Sequence, residues 1–169
     1  PTPSPSASVP SPPASAPPTV TTTPASAGGV DIYSWLPFTQ QGLAAAAAVT
    51  QKFLVDYNTY SYTESAADYV ARMNGLITTE EATTLKGLYA TPGVAKIRTD
   101  QKQTSTGTAS ITALRTFGPS SLTFIATGTQ HLATAKGSSN GSAQYAVTVT
   151  GSGTSWQVSD IELSSVGQS

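Results

Sequence analysis

The hydrophobic periodicity of the chain changes once, near Pro92, and that change restricts the fold class more than any other feature. Before it, apolar residues recur every three or four positions, which is typical of amphipathic helices. After it, apolar and polar residues alternate, which is typical of strands with one buried face. Helices followed by strands predict an α+β fold, in which the helices cover one face of an antiparallel sheet.

We predict three helices in the first half, running from about Thr39 to Tyr60, from Thr63 or Ser65 to Asn74, and from about Thr79 to Tyr89. Alanine has the highest helix propensity of any residue type, so the alanine run at 44–48 favours the first helix. Thr78 and Glu81 have the spacing of a capping box before the third helix. Because Pro92 cannot continue a helix, the sequence "TPG" at 91–93 is predicted to end the helical half.

We predict four to five strands in the second half, at 94–103, 108–117, 121–134, 143–150 and 156–163. Gly118 with Pro119, and the segment "KGSSNG" at 136–141, are predicted turns. The last strand changes phase between Val158 and Ile161, which indicates a bulge or a change of face. We expect the helices to fill the curved sheet with their own side chains and to leave no room for a reactant.

The aromatic residues within "KFLVDYNTYSYTES", at 52–65, are open to three interpretations. They pack the core and the helix junction, where a tyrosine can bury its ring and keep its hydroxyl at a wet edge, or they line a pocket between helix and sheet, or one of the tyrosines is catalytic. The side chains that would line such a cavity are Tyr57, Tyr69 and Phe124. Asp160 would join them if the phase shift turned it inward.

Residues 1–30 differ in composition from the rest of the chain, because they contain nine of the twelve prolines and no charged residue. Such a segment has too little apolar surface to offset the entropy of ordering, so we predict a disordered linker at 1–30 and one α+β domain at 31–169. A ligand for a proline-binding module and a glycosylated stalk are the alternatives. Since the chain starts at Pro1 rather than Met, we expect that an upstream segment, most simply a membrane anchor, has been removed.

The residues that usually carry chemistry are scattered in this sequence. His131 is the only histidine, there is no cysteine, and the acids do not form a metal-binding or catalytic motif. With 10% charged residues and a net charge of -1, the chain lacks the clustered Lys and Arg of a nucleic-acid-binding protein. The sequence therefore predicts a protein that is not an enzyme, with no cofactor, no metal and no nucleic-acid partner.

One charged group remains, formed by Lys96, Arg98 and Lys102 on the polar side of the first predicted strand. Charges on an edge strand block pairing with other sheets, which is one interpretation of this group. The alternative is a contact surface for an acidic partner.

The order of the predicted elements, and the ending "WQVSDIEL", resemble the nuclear transport factor two-like superfamily. The segments "FLVDYNTYSYTES" and "YVARMNGLIT" are similar to extracytoplasmic domains of actinobacterial conjugative elements, which relate to the TcpC family and to type IV secretion assembly factors. The resemblance implies a cone-like fold and a non-enzymatic, membrane-anchored scaffold that contacts other channel or envelope proteins, or further copies of itself, outside the cytoplasmic membrane. The alternative is a small-molecule-binding or enzymatic member of the same superfamily that uses the cavity between helices and sheet.

Overall fold

The computed structural model describes residues 36–165. The predicted linker at 1–30 lies outside the described residues, as do 31–35 and 166–169 of the predicted domain. The described part has the predicted α+β class, with helices before strands. Its elements are α1 Gln40–Tyr57, β1 Tyr60–Ser61, α2 Ala66–Ala71, α3 Thr79–Tyr89, α4 Pro92–Asp100, β2 Thr104–Phe117, β3 Ser121–Thr134, β4 Gly137–Ser152 and β5 Ser155–Leu163.

The five strands form one antiparallel sheet in the order β1-β2-β3-β4-β5, so each strand pairs with its neighbour in the chain. The predicted irregularity in the last strand is confirmed. Thr148 pairs with Asp160 while the next residue, Val149, pairs with Val158, so Ser159 is the extra residue of a bulge. The bulge explains why the apolar alternation of β5 changes phase at this point.

The predicted turn at 136–141 is wrong. Thr134 pairs with Gly137, so the turn consists of residues 135 and 136, and β4 starts directly afterwards. Ser, Asn and Gly favour turns when the local sequence decides. Here the segment pairs along its whole length with β3, and this long-range pairing outweighs the local preference.

The predicted first strand at 94–103 is also wrong, because most of it forms helix α4, and the described residues therefore contain four helices rather than three. Pro92 is the first helical residue, where its missing N–H costs nothing and its fixed φ favours the helix. The alternating charges that suggested a strand instead form an i,i+4 ion pair, with 2.6 Å between Lys96 Nζ and Asp100 Oδ2.

Helix α1 lies across one face of the sheet and supplies the centre of the core. Thr39 caps its N-terminus by accepting a hydrogen bond from the Gly42 amide at 3.0 Å. The backbone of its last turn approaches the sheet closely at Gly107, where a Cβ would lie 2.6 Å from the Val55 carbonyl oxygen. The largest fully buried side chains come from α1, the α2–α3 region and the sheet: Phe53, Leu54, Met73, Leu85, Leu122, Val147, Val149, Val158 and Thr50.

The opposite face of the sheet carries rows of Thr, Ser and Gln side chains. Thr108 pairs with Thr129, which pairs with Ser142, and the next row is formed by Ser110, Thr127 and Gln144. These side chains are exposed or half-buried, so this face needs no cover of helices.

The segment between α2 and α3 protects the edge of β5. The Val158 amide donates to the Leu76 carbonyl at 2.7 Å, and the Thr78 amide donates to the Val158 carbonyl at 2.9 Å. Thr78 then caps α3 by accepting from the Glu81 amide at 3.2 Å, as its spacing to Glu81 predicts. The edge is therefore covered by backbone pairing at this point.

Across residues 36–165, no helix has both the length and the hydropathy that a membrane crossing requires.

Candidate binding cleft

A cleft of about 290 Å³ opens between the helices and the sheet beside the C-terminal end of α1. Tyrosine side chains and amide side chains form much of its wall. The lining consists of Tyr57, Asn58, Tyr60, Tyr69, Leu85, Leu88, Tyr89, Val94, Arg98, Gln103, Gln130 and Tyr145. We call this space the tyrosine cleft.

The five tyrosines come from five different elements, and their rings contact one another. Tyr69 of α2 stacks on Tyr89 of α3, with 4.2 Å between ring centroids and 16° between planes. Tyr57 of α1 meets Tyr145 of β4 edge-on at 5.8 Å, and Tyr60 of β1 meets Tyr89 at 6.5 Å. Offset or edge-on contacts of this kind stabilise by about 0.5–1.5 kcal/mol each beyond area burial. The tyrosines of the cleft wall therefore form two groups of contacting rings, Tyr57 with Tyr145, and Tyr89 with Tyr60 and Tyr69.

Two of the tyrosine hydroxyls fix α2 and α3 to the end of α1 and to β1. The Tyr69 hydroxyl donates to the Tyr57 carbonyl at 2.8 Å, and the Tyr89 hydroxyl donates to the Ser61 carbonyl at 3.1 Å. Tyr57 is the last residue of α1, and Ser61 belongs to β1. Each bond satisfies a polar group that would otherwise be costly to bury.

Arg98 of α4 extends into the cleft and is only 9% exposed. Its guanidinium carbon lies 3.6 Å from the centre of the Tyr89 ring and 6.0 Å from that of Tyr60, within the range of cation–π attraction. One Nη donates to the Tyr89 carbonyl oxygen. Within residues 36–165, no carboxylate lies within ion-pair distance of Arg98.

Burial raises the pKa of all five tyrosines above the usual value. At Tyr60 and Tyr89, the positive charge of Arg98 opposes this rise in pKa, since it favours the ionised phenol. The phenols therefore remain protonated at neutral pH. Among the described residues that line the cleft there is no Asp, Glu or His, and this part of the lining offers hydrogen-bond donors, aromatic faces and the cation of Arg98.

The structure separates the three basic residues that were predicted to share a strand face. Arg98 faces inward, whereas Lys96 is exposed and paired with Asp100. Lys102 follows the end of α4 with a left-handed φ of 52° and is exposed. The prediction of a common face was wrong because a helix places residues 96 and 98 about 200° apart around its axis.

The predicted cavity lining is corrected for two of its four residues. Tyr57 and Tyr69 line the tyrosine cleft. Phe124 is instead buried in the core, because the inner face of β3 packs against α1. Asp160 is exposed on β5, because the bulge at Ser159 does not turn it inward.

The expectation that helices fill the whole space over the sheet is wrong beside the C-terminal end of α1. Phe53 and Leu54 fill the space beneath the last turns of α1, but α1 ends at Tyr57, and a hollow remains beyond it. Tyr89, Arg98 and Tyr145 were not predicted to be parts of one site. A helical interpretation of 92–100 would have indicated Arg98, because it lies four residues after Val94 and so on the same helix face.

No three acidic, histidine or cysteine side chains of the described part come together as a metal site. A second groove of about 400 Å³ lies between α2 and α3, lined mainly by small apolar and polar residues, with Lys86 at its edge. It contains no aromatic side chain. The tyrosine cleft is therefore the better candidate for specific recognition.

Comparison with known proteins identifies the fold. The chain matches no protein-family model and no curated protein sequence. It is similar in structure to an IcmL-like type IV secretion system protein from Legionella pneumophila, with a TM-score of 0.56 and 9% sequence identity, over 70% of this chain and 89% of that one. It is also similar to a periplasmic fragment of TraM, with a TM-score of 0.49 and 8% identity, over 70% of this chain and 94% of the fragment. At 9% identity, the first similarity shows a shared fold alone.

Proposed function

We propose that this domain is a non-enzymatic scaffold unit of a type IV secretion or conjugation channel, which acts outside the cytoplasmic membrane. The observation that supports this most is the fold that it shares with the IcmL-like type IV secretion protein, over most of the length of both chains. A fold alone does not determine function, so the surfaces and the cleft must be consistent with the proposal.

The exposed surface offers apolar anchors for partner proteins. Leu88, Val94 and Ile97 of α3 and α4 are 60%, 48% and 52% exposed, and the first two also line the tyrosine cleft. Exposed apolar residues next to a cleft are typical of protein–protein contacts. They support contacts with other channel or envelope proteins, or with a further copy of this chain.

The proline-rich composition of residues 1–30 suits a spacer between such a domain and a membrane anchor. We therefore include in the proposal an anchor that precedes residue 1, and membership of the nuclear transport factor two-like superfamily with a relation to the TcpC family. The sequence ending "WQVSDIEL" supports the superfamily assignment, because it forms the last strand of an antiparallel sheet covered by helices.

A second candidate function is small-molecule binding or catalysis in the tyrosine cleft. Its open volume of about 290 Å³ favours this alternative, since it is close to the lower limit of known ligand pockets. The lining has no pair of titratable groups with opposed environments, which general acid–base catalysis commonly uses. We therefore prefer the scaffold.

Deletion of the gene in its source bacterium tests the proposal. We expect the frequency of transfer to recipient cells to fall to background, and to recover when the full-length gene is returned on a plasmid. The control is the full-length gene with Gly87→Ala, a change on the exposed side of α3, and it should restore transfer fully. Normal transfer without the gene would contradict the scaffold function and would favour the alternative.

A further inference from the structure

We infer that the tyrosine cleft binds an acidic peptide segment of a partner protein, and that Arg98 pairs with a Glu or Asp side chain of that segment. The inference rests on the proposed function, because it names the kind of partner that the scaffold would hold. Three observations carry it: the burial of Arg98, its lack of a carboxylate partner and the apolar residues around it.

The first observation is that Arg98 is a buried cation that forms no ion pair with any carboxylate of residues 36–165. Arginine is almost never this deeply buried unless it is paired. By contrast, Lys52, Arg72 and Lys96 lie near the surface, and each pairs with a carboxylate of this chain at 2.6–3.1 Å. Arg98 makes only a bond to the Tyr89 carbonyl and aromatic contacts. The chain thus leaves its most buried cation unpaired within the described residues.

The second observation is that guanidinium donors remain available in the cleft. Of the five N–H groups of an arginine, Arg98 uses one with a protein acceptor. Within residues 36–165, every fully buried side-chain nitrogen or oxygen has a hydrogen-bond partner. The guanidinium nitrogens of Arg98 that make no hydrogen bond are therefore not fully buried, and Arg98 lines the open space of the cleft. A carboxylate placed there would form the strong, charge-assisted type of hydrogen bond.

The third observation selects a peptide over a free anion. The cleft continues onto the exposed apolar side chains of Leu88 and Val94, and Ile97 lies one turn further along α4. A free carboxylate would leave this surface uncovered, whereas a peptide with apolar residues beside its acid would cover it. Gln103 and Gln130 supply side-chain amides in the same lining, which suit the polar backbone of an extended segment.

The formal charge of the cleft lining also favours an acidic partner. Arg72 lies over the Tyr69 ring, but it is paired with Glu64 at 3.1 Å, so that pair is close to neutral. Glu81 is buried near Tyr57 but is not part of the lining, so among the described residues that line the cleft the formal charge is the positive charge of Arg98.

An NMR titration of the full chain tests this inference. The probe is acetyl-Ala-Leu-Glu-Leu-Ala-amide, and the readout is the set of shifts of the Arg98 side-chain N–H and of the backbone amides that line the cleft. We expect saturable shifts confined to the cleft. The same peptide with Gln in place of Glu should bind roughly tenfold more weakly or worse, because it lacks the charge-assisted bond.

Arg98→Gln should remove the preference for the Glu peptide, and Lys96→Gln is the matched control because Lys96 lies on the same helix but outside the cleft. Val94→Glu is a second variant that keeps Arg98 and its bond to Tyr89. It places a carboxylate at the cleft wall, so it should weaken the Glu peptide even if Arg98→Gln fails to fold.

Several results would overturn the inference. These are equal affinity for the Glu and Gln peptides, unchanged binding in Val94→Glu, tighter binding of an uncharged penta-proline peptide, or identical shifts with sodium acetate at the same concentration. Failure of the titration, together with loss of transfer in the deletion strain, would reject the acidic partner and retain the scaffold function. Binding without any transfer defect would reject the scaffold function instead.

Discussion

The close approach of α1 to the sheet at Gly107 gives the sharpest stability prediction. A Cβ at this position would lie 2.6 Å from the Val55 carbonyl oxygen and 2.7 Å from the Asn58 Cβ. Both atoms belong to the end of α1 or to its first following residue, so they cannot rotate away as the tip of a side chain would. Overpacking of this kind costs about 1–3 kcal/mol.

For the 130 described residues, the average entropy of unfolding converts each kcal/mol into a shift of about 4 °C in Tm. Gly107→Ala should therefore lower Tm by about 4–12 °C, measured by circular dichroism of the full chain.

Gly87→Ala supplies the control, because it is the same chemical change on a helix. Nothing lies within 4 Å of a Cβ at Gly87, which is exposed within α3. Alanine is favoured over glycine in a helix by about 0.5–1 kcal/mol, so Tm should rise by about 2–4 °C. If both variants shifted Tm in the same direction, or if Gly107→Ala had no effect, α1 would not lie against β2 as described.

Three further predictions follow from the core, the caps and the tyrosines. Phe53→Ala should lower the free energy of unfolding by about 3–5 kcal/mol in urea, because Phe53 is fully buried; a loss below about 1 kcal/mol would refute its place in the core. Thr78→Ala should cost about 1 kcal/mol through loss of the α3 cap, whereas Thr83→Ala, an exposed change on the same helix, should cost nothing. Burial raises the pKa of Tyr69 above that of the unfolded chain, so the folded state keeps the proton more tightly, and stability should fall as pH rises past about 10. When Tm is measured against pH, Tyr69→Phe should lose less stability above about pH 10 than the wild type does. The same dependence of Tm on pH in both proteins would contradict the burial of Tyr69.

The fold class was predictable because it depends on repeated patterns. The helix over 79–89 and the strand over 121–134 have the predicted bounds, since each combines a long periodic pattern with clear end signals. The segment at 92–100 was not predictable by the same rule. A proline can end one helix or begin the next, so Pro92 did not decide between the two. Over so few residues, the alternation of charges fits a strand as well as a helix.

The cleft depends on positions that are distant in sequence. Tyr57, Tyr89 and Tyr145 come together only because α1 stops short, and because α3 and β4 approach its end. Local periodicity places each tyrosine on the apolar face of its own element, but it does not show which of them face the same space. Arg98 was predicted from the sequence as a candidate contact residue, and its inward direction followed only from the helical form of α4.

The most direct test of the central claim, that Arg98 in the tyrosine cleft holds a channel partner, is the transfer frequency of the deletion strain carrying single-residue variants. The gene with Arg98→Gln should give transfer near background at normal protein level, while the gene with Lys96→Gln should give wild-type transfer. Wild-type transfer by Arg98→Gln, or equal loss in both variants, would contradict the account.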